Sequence, residues 1–77
     1  MTKTKLTLPE RHGLLVADRR NHEEISQRTL AELADTSQQT ISRIEAGTCG
    51  TSDDMRVRIA DALGVKAAEL FPYEDED

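Results

Sequence analysis

Aromatic residues are nearly missing from this chain: it has no tryptophan, one phenylalanine and one tyrosine in 77 residues. Its core therefore has to be built from leucine, isoleucine, valine and alanine. Only four glycines and two prolines punctuate the sequence. That set suits packed helices better than a β-sandwich, which draws on β-branched and aromatic residues. A lone cysteine, Cys49, excludes an internal disulfide, reads as a plain loop residue and fits a reducing cytoplasm. No apolar run approaches the length of a membrane span. Residues 1–8 are too polar for the apolar stretch of a signal peptide, so a cytoplasmic protein with no membrane partner is expected. His12 and His22 have no cysteine or histidine neighbours at ligand spacing, so neither a metal nor another cofactor is expected. No nucleophile–base pair, phosphate-cradling loop or carboxylate dyad stands out. That argues against an enzyme and against a small-molecule substrate.

What is present is charge, unevenly spread. The formal net charge is -5, which by itself disfavours nucleic acid. Residues 1–47 nonetheless balance seven basic against seven acidic groups, and residues 48–77 carry the whole excess. A local basic patch, not the total, decides phosphate contact. The organisation expected is a loose basic arm over 1–7, one domain over 8–72 and an acidic tail over 73–77. The tail, Tyr73 followed by Glu74, Asp75, Glu76 and Asp77, is expected to be a solubilising end.

Start and stop signals divide the domain into five helices. Thr7-Leu8-Pro9-Glu10 opens the first, which runs to about Asn21; Gly13 weakens it, and Leu8, Leu15 and Val16 form its stripe. Ser26 caps a second helix, in which Leu30, Leu33 and Ala34 share one face. Asp35-Thr36 breaks it, aspartate being one of the few residues that tolerate a left-handed backbone. Ser37 caps a third helix from Gln38 to Ala46, with Ile41, Ile44 and the stem of Glu45 turned inward and Gly47 as its stop. Ser52 caps a fourth, with Met55, Ile59, Ala62 and Leu63 inside and Gly64 at its end. Val65 to Phe71 forms a last turn or two before Pro72.

Two helices of about eight residues, joined by a tight turn, are marginal alone and have to lock against each other. Ala31 is small enough to let them cross closely, and Leu30, Ala34, Ile41 and Ile44 supply the shared core. That leaves Gln38, Gln39, Ser42 and Arg43 on the outer face of the third helix. Glutamine can pair with the adenine edge and arginine with guanine, so this face matches what the DNA major groove offers. Arg28 and Thr40 read as phosphate contacts. Arg19 and Arg20 either extend a basic face or simply terminate the first helix.

The run SQRTLAELADTSQQTISRIEAG, continued by IADALGV and AAELF, resembles the Cro/CI-like (XRE) helix-turn-helix regulators over roughly residues 25–71. The resemblance implies an all-α, compact five-helix lambda-repressor-like domain that binds double-stranded DNA as a transcriptional regulator. It maps a phosphate contact onto Gln27 and base reading onto Gln38 and Gln39, and Ser37 is expected to meet a phosphate as well. It departs from the family at the turn, where Asp35-Thr36 replaces the usual Gly-Val, and at Lys66, where a capping serine is common. The reading that follows is a repressor of phage or mobile-element type, dimeric on a two-fold operator and weakly self-associated through Leu70, Phe71 and Tyr73. The alternatives are a protein-interaction module of the same fold, such as an antitoxin-like partner or antirepressor, and an excisionase-like architectural DNA-binding protein.

Overall fold

The computed structural model describes residues 6–72. Most of the expected basic arm and all of the acidic tail lie outside the described residues. Five helices follow in order: α1 Leu8–His22, α2 Gln27–Leu33, α3 Gln38–Ala46, α4 Asp53–Leu63 and α5 Ala67–Leu70. Among the described residues there is no strand.

Local chemistry sets the boundaries. Thr7 and Glu10 form a reciprocal capping box at α1, the Glu10 N–H donating to the Thr7 hydroxyl (3.2 Å) and the Thr7 N–H to the Glu10 carboxylate (2.9 Å). Ser26, Ser37 and Ser52 accept from the backbone N–H of Thr29, Thr40 and Met55, which satisfies one orphan donor of α2, α3 and α4 in turn. Gly47 ends α3 in the left-handed region, φ 74°. Asp35 adopts the same region at φ 58° in the turn after α2, as does Glu24 at φ 59° in the link after α1, a strained position that the sequence did not disclose. Lys66 precedes α5 without a side-chain cap.

The core gathers Val16, Leu30, Ala31, Ala34, Ile41, Ile44, Ile59, Ala60, Leu63, Leu70 and Phe71. α3 packs chiefly on α1 and α2, α4 on α2 and α5, and α5 also reaches α1. Gly13, expected only to weaken α1, sits where that helix crosses α3. A Cβ there would run into the Ile44 carbonyl and lie 2.6 Å from the Glu45 carbonyl oxygen, so only glycine lets the two backbones approach.

Two expectations are corrected. Leu33 is 59% exposed. At about 100° per residue, the inward face of α2 is centred on Leu30, Ala31 and Ala34, and Leu33 points well to one side of it. Leu70 and Phe71, expected at a dimer contact, are only 3% and 1% exposed within a single chain. Phe71 is the largest buried side chain; it meets His12 edge-on at 5.2 Å and carries the Arg56 guanidinium over its ring at 5.6 Å. Both residues are packed within their own monomer, with almost no surface left for a second copy; Tyr73, the third residue of that contact, lies outside the described residues.

Candidate nucleic-acid interface

The two faces of α3 divide as its sequence dictates. Ile41 and Ile44 are buried, while Gln38, Gln39, Ser42 and Arg43 are all exposed. The amides of Gln38 and Gln39 and the hydroxyl of Ser42 can both donate and accept hydrogen bonds, and the Arg43 guanidinium donates only. Ser37 is exposed, and its hydroxyl is engaged at both ends of the cap: it accepts from the Thr40 N–H at 3.1 Å and pairs with the half-buried Thr40 hydroxyl at 2.9 Å. This cap fixes the first turn of α3, the turn that holds both glutamines.

The far end of α3 is tied down by an ion pair. Arg20 of α1 donates from Nε to Glu45 Oε2 at 2.7 Å and from Nη2 to Oε1 at 3.0 Å. Gln27 adds a third bond, from its amide to Glu45 Oε1 at 3.0 Å. The remaining Arg20 nitrogen, Nη1, donates to the Ile25 carbonyl at 2.8 Å. The side chains of Arg20 and Glu45 are 14% and 7% exposed, so the pair is shielded from water. The hydrogen bonding to Glu45, with its charge, holds the Arg20 guanidinium above the ordinary arginine range against the opposing pull of burial. Three helices thus meet at one carboxylate.

This geometry sorts the remaining expectations. Arg20 is a structural tie and not part of a free basic face. Arg19 pairs with Glu23 at 3.2 Å, one turn further along. Gln27 is half-buried with one amide hydrogen committed to Glu45, which leaves the second for another acceptor. Arg28 stands well out from α2, its side chain 78% exposed and 3.9 Å from Glu32. Gln38, Gln39, Ser42 and Arg43 are brought together on one surface by α3, with Ser37 and Thr40 at its start. The Glu45 node is not apparent from the sequence, where Glu45 offers only a stem at helical spacing. The available signal was a glutamate at an inward position of α3, which demands a cation.

Among the described residues no group of histidine, cysteine, aspartate or glutamate side chains is placed to hold a metal ion. No described helix is long and apolar enough to cross a membrane.

A family model described as helix-turn-helix matches residues 16–70. Among solved structures, the restriction-modification controller protein C.AhdI from Aeromonas hydrophila is 27% identical with a TM-score of 0.79, over 82% of this chain and 91% of that one. The clp gene regulator ClgR from C. glutamicum is 26% identical with a TM-score of 0.81, over 86% of each chain. The P22 c2 repressor, solved in complex with synthetic operator 9T, is 21% identical over 92% of this chain and 100% of that one; its TM-score of 0.77 is a likeness of fold. No curated protein matches the sequence.

Proposed function

The chain belongs to the helix-turn-helix family of Cro/CI (XRE) type, with the repressor-like five-helix fold, and from that premise we propose that it is a sequence-specific regulator of transcription that binds double-stranded DNA. The observation that carries this reading is the division of α3, whose inner isoleucines are buried and whose outer Gln38, Gln39, Ser42 and Arg43 stand exposed on a capped, tied-down helix. Gln38 and Gln39 read bases from the first turn, Ser42 and Arg43 one turn further along, and Gln27, Arg28, Ser37 and Thr40 meet phosphates on either side. The unit that does this is the domain over 8–72, flanked by the basic arm and the acidic tail. It acts as a repressor of phage or mobile-element type, two copies occupying a two-fold operator and excluding polymerase. Recognition helices of such a dimer lie about 34–36 Å apart, one turn of DNA.

With Leu70 and Phe71 inside the monomer, the contact between copies falls to the exposed apolar surface of α4 and α5. There Val57, 51% exposed, stands at a shallow hollow of about 180 Å³ whose lining also includes Ala67, Ala68 and the edge of Phe71, with Asp53 and Arg56 as its charged members. The test is selection of bound duplexes from a random pool, followed by titration against salt. The expected result is one two-fold symmetric site, bound with an affinity that falls steeply as salt rises. Failure to enrich any duplex, with salt-independent or absent binding, overturns the reading in favour of a protein-interaction module.

A further inference from the structure

The turn that aims α3 is held from two sides. Its donors return to α2: the Asp35 N–H to the Glu32 carbonyl at 3.2 Å and the Thr36 N–H to the Ala31 carbonyl at 2.9 Å. Its acceptor is met from α4, where Arg58 Nη1 donates to the Asp35 carbonyl oxygen at 3.0 Å. Asp35 is the left-handed residue of this turn, so the peptide unit that Arg58 grips is the one that sets the direction of the chain into Ser37 and α3. Two carboxylates flank the Arg58 guanidinium as ion-pair neighbours: that of Asp54 lies 3.2 Å from Nε and that of Asp35 3.9 Å from Nη1.

We infer that Arg58 is a positioning residue for the α3 reading face, acting through the Asp35 carbonyl and not by touching DNA. The inference rests on the DNA-reading assignment above. α3 packs chiefly on α1 and α2, and the Glu45 node fixes its C-terminal end. Its N-terminal end is set by the turn, and Arg58 links that turn to α4. A nine-residue helix is about 13 Å long, so a tilt of roughly 5° about the Glu45 end moves the first turn by about 1 Å. Hydrogen bonds to a base edge tolerate a few tenths of an ångström, so such a tilt disrupts reading. A phosphate contact is the rival role for an arginine here. It is disfavoured because two carboxylates already flank this guanidinium, whose side chain is only 36% exposed.

The two roles separate in one experiment on the full chain. Affinity is measured for the duplex selected by the unaltered protein and for a scrambled duplex, each across a range of salt, with thermal melting to confirm that every variant is folded. R58M is expected to lose about tenfold on the selected duplex, with a much smaller change on the scrambled one and an unaltered salt slope. R58K, which can still donate to the Asp35 carbonyl, is expected to recover most of that loss; if R58M does not fold, R58Q takes its place with the same expectation. Amide exchange at Thr36 and Ser37 should quicken in R58M while that of the α1 core stays unchanged. Equal loss on both duplexes with a salt slope smaller by about one marks a direct phosphate contact and overturns the inference. So does unchanged discrimination between the duplexes in a folded variant. If the unaltered chain binds neither duplex, the DNA reading itself fails, and this inference with it.

Discussion

Gln38 and Gln39 occupy the first turn of α3, both exposed, on a helix whose start is fixed by the Ser37 cap. Each carboxamide can donate and accept at once, which suits an adenine edge. Replacing either by alanine should therefore cost about 1–3 kcal/mol on the selected duplex and relax preference at one base pair. Binding titrations on selected and scrambled duplexes check this, and two folded variants with untouched preference would sink base reading by α3. Arg28→Ala should behave differently, weakening all sequences alike and lowering the salt slope by about one, as expected for a group that meets a phosphate. The placement of these residues was legible because Ile41 and Ile44 mark the inward face of α3, and 3.6 residues per turn fixes the rest. Arg20 and His12 were not legible in the same way. Arg20 finds Glu45 25 positions away, and the His12 ring nitrogen finds the Pro72 carbonyl 60 positions away at 2.8 Å. Spacing within one helix carries no information about such partners. His12 is 3% exposed between Phe71 and that carbonyl, a role for a histidine that only the assembled chain reveals.

Helix ends were the most readable elements, because a capping hydroxyl and the backbone N–H that donates to it lie three residues apart, within one stretch of sequence. The exception is α5, where Lys66 offers no side-chain acceptor. Lys66→Ser should supply one and raise stability by about 0.5–1 kcal/mol, read as a higher midpoint in urea with an unchanged slope. A lower midpoint would mean that the lysine makes a contact worth more than a cap. Less readable was which side of a short helix faces inward. Seven residues of α2 fit two registers of the apolar pattern, and only packing against α3 chose the one that leaves Leu33 outside. The tie between elements at Glu45 also has a measurable consequence. Glu45→Gln leaves the Arg20 guanidinium shielded and without its countercharge, which should cost about 3 kcal/mol, whereas replacing both partners with methionine should cost much less. Urea titration of Arg20→Met, Glu45→Met and the double variant closes the cycle, with Glu45→Gln read beside it. Equal losses in single and double variants would show that packing by the side-chain stems, and not the ion pair, holds α3 to α1 and α2.

At the scale of the whole molecule, charge and association decide what a small domain can do on DNA. Deleting residues 74–77 removes four acidic groups and takes the formal charge from -5 to -1. Affinity for selected and scrambled duplexes should rise together, since a diffuse charge acts on both; a gain confined to one duplex would mean that the tail engages the reading face. The fold class and the order of helices could be read from the sequence, because caps, periodicity and glycine stops are local. The association surface could not. Leu70 and Phe71 look like an exposed apolar end until α1 and α4 close over them, with His12 edge-on to the phenylalanine ring and Arg56 over it. That burial moves the expected contact onto Val57 and the rim of the α4–α5 hollow. One copy presents one reading helix, so two-fold recognition requires two copies, and a surface this small gives self-association in the micromolar range or weaker, about -8 kcal/mol at best. Sedimentation equilibrium on the free protein and on the selected duplex should show weak dimerisation alone and a clean two-to-one complex on DNA. Val57→Glu places a charge in the apolar contact and should abolish the free dimer. On DNA it should turn cooperative occupancy of the two half-sites into independent binding, while a single half-site is bound as before. Dimerisation unaffected by Val57→Glu would move the interface elsewhere on the molecule. A strict one-to-one complex on the selected duplex would remove the dimer from the mechanism.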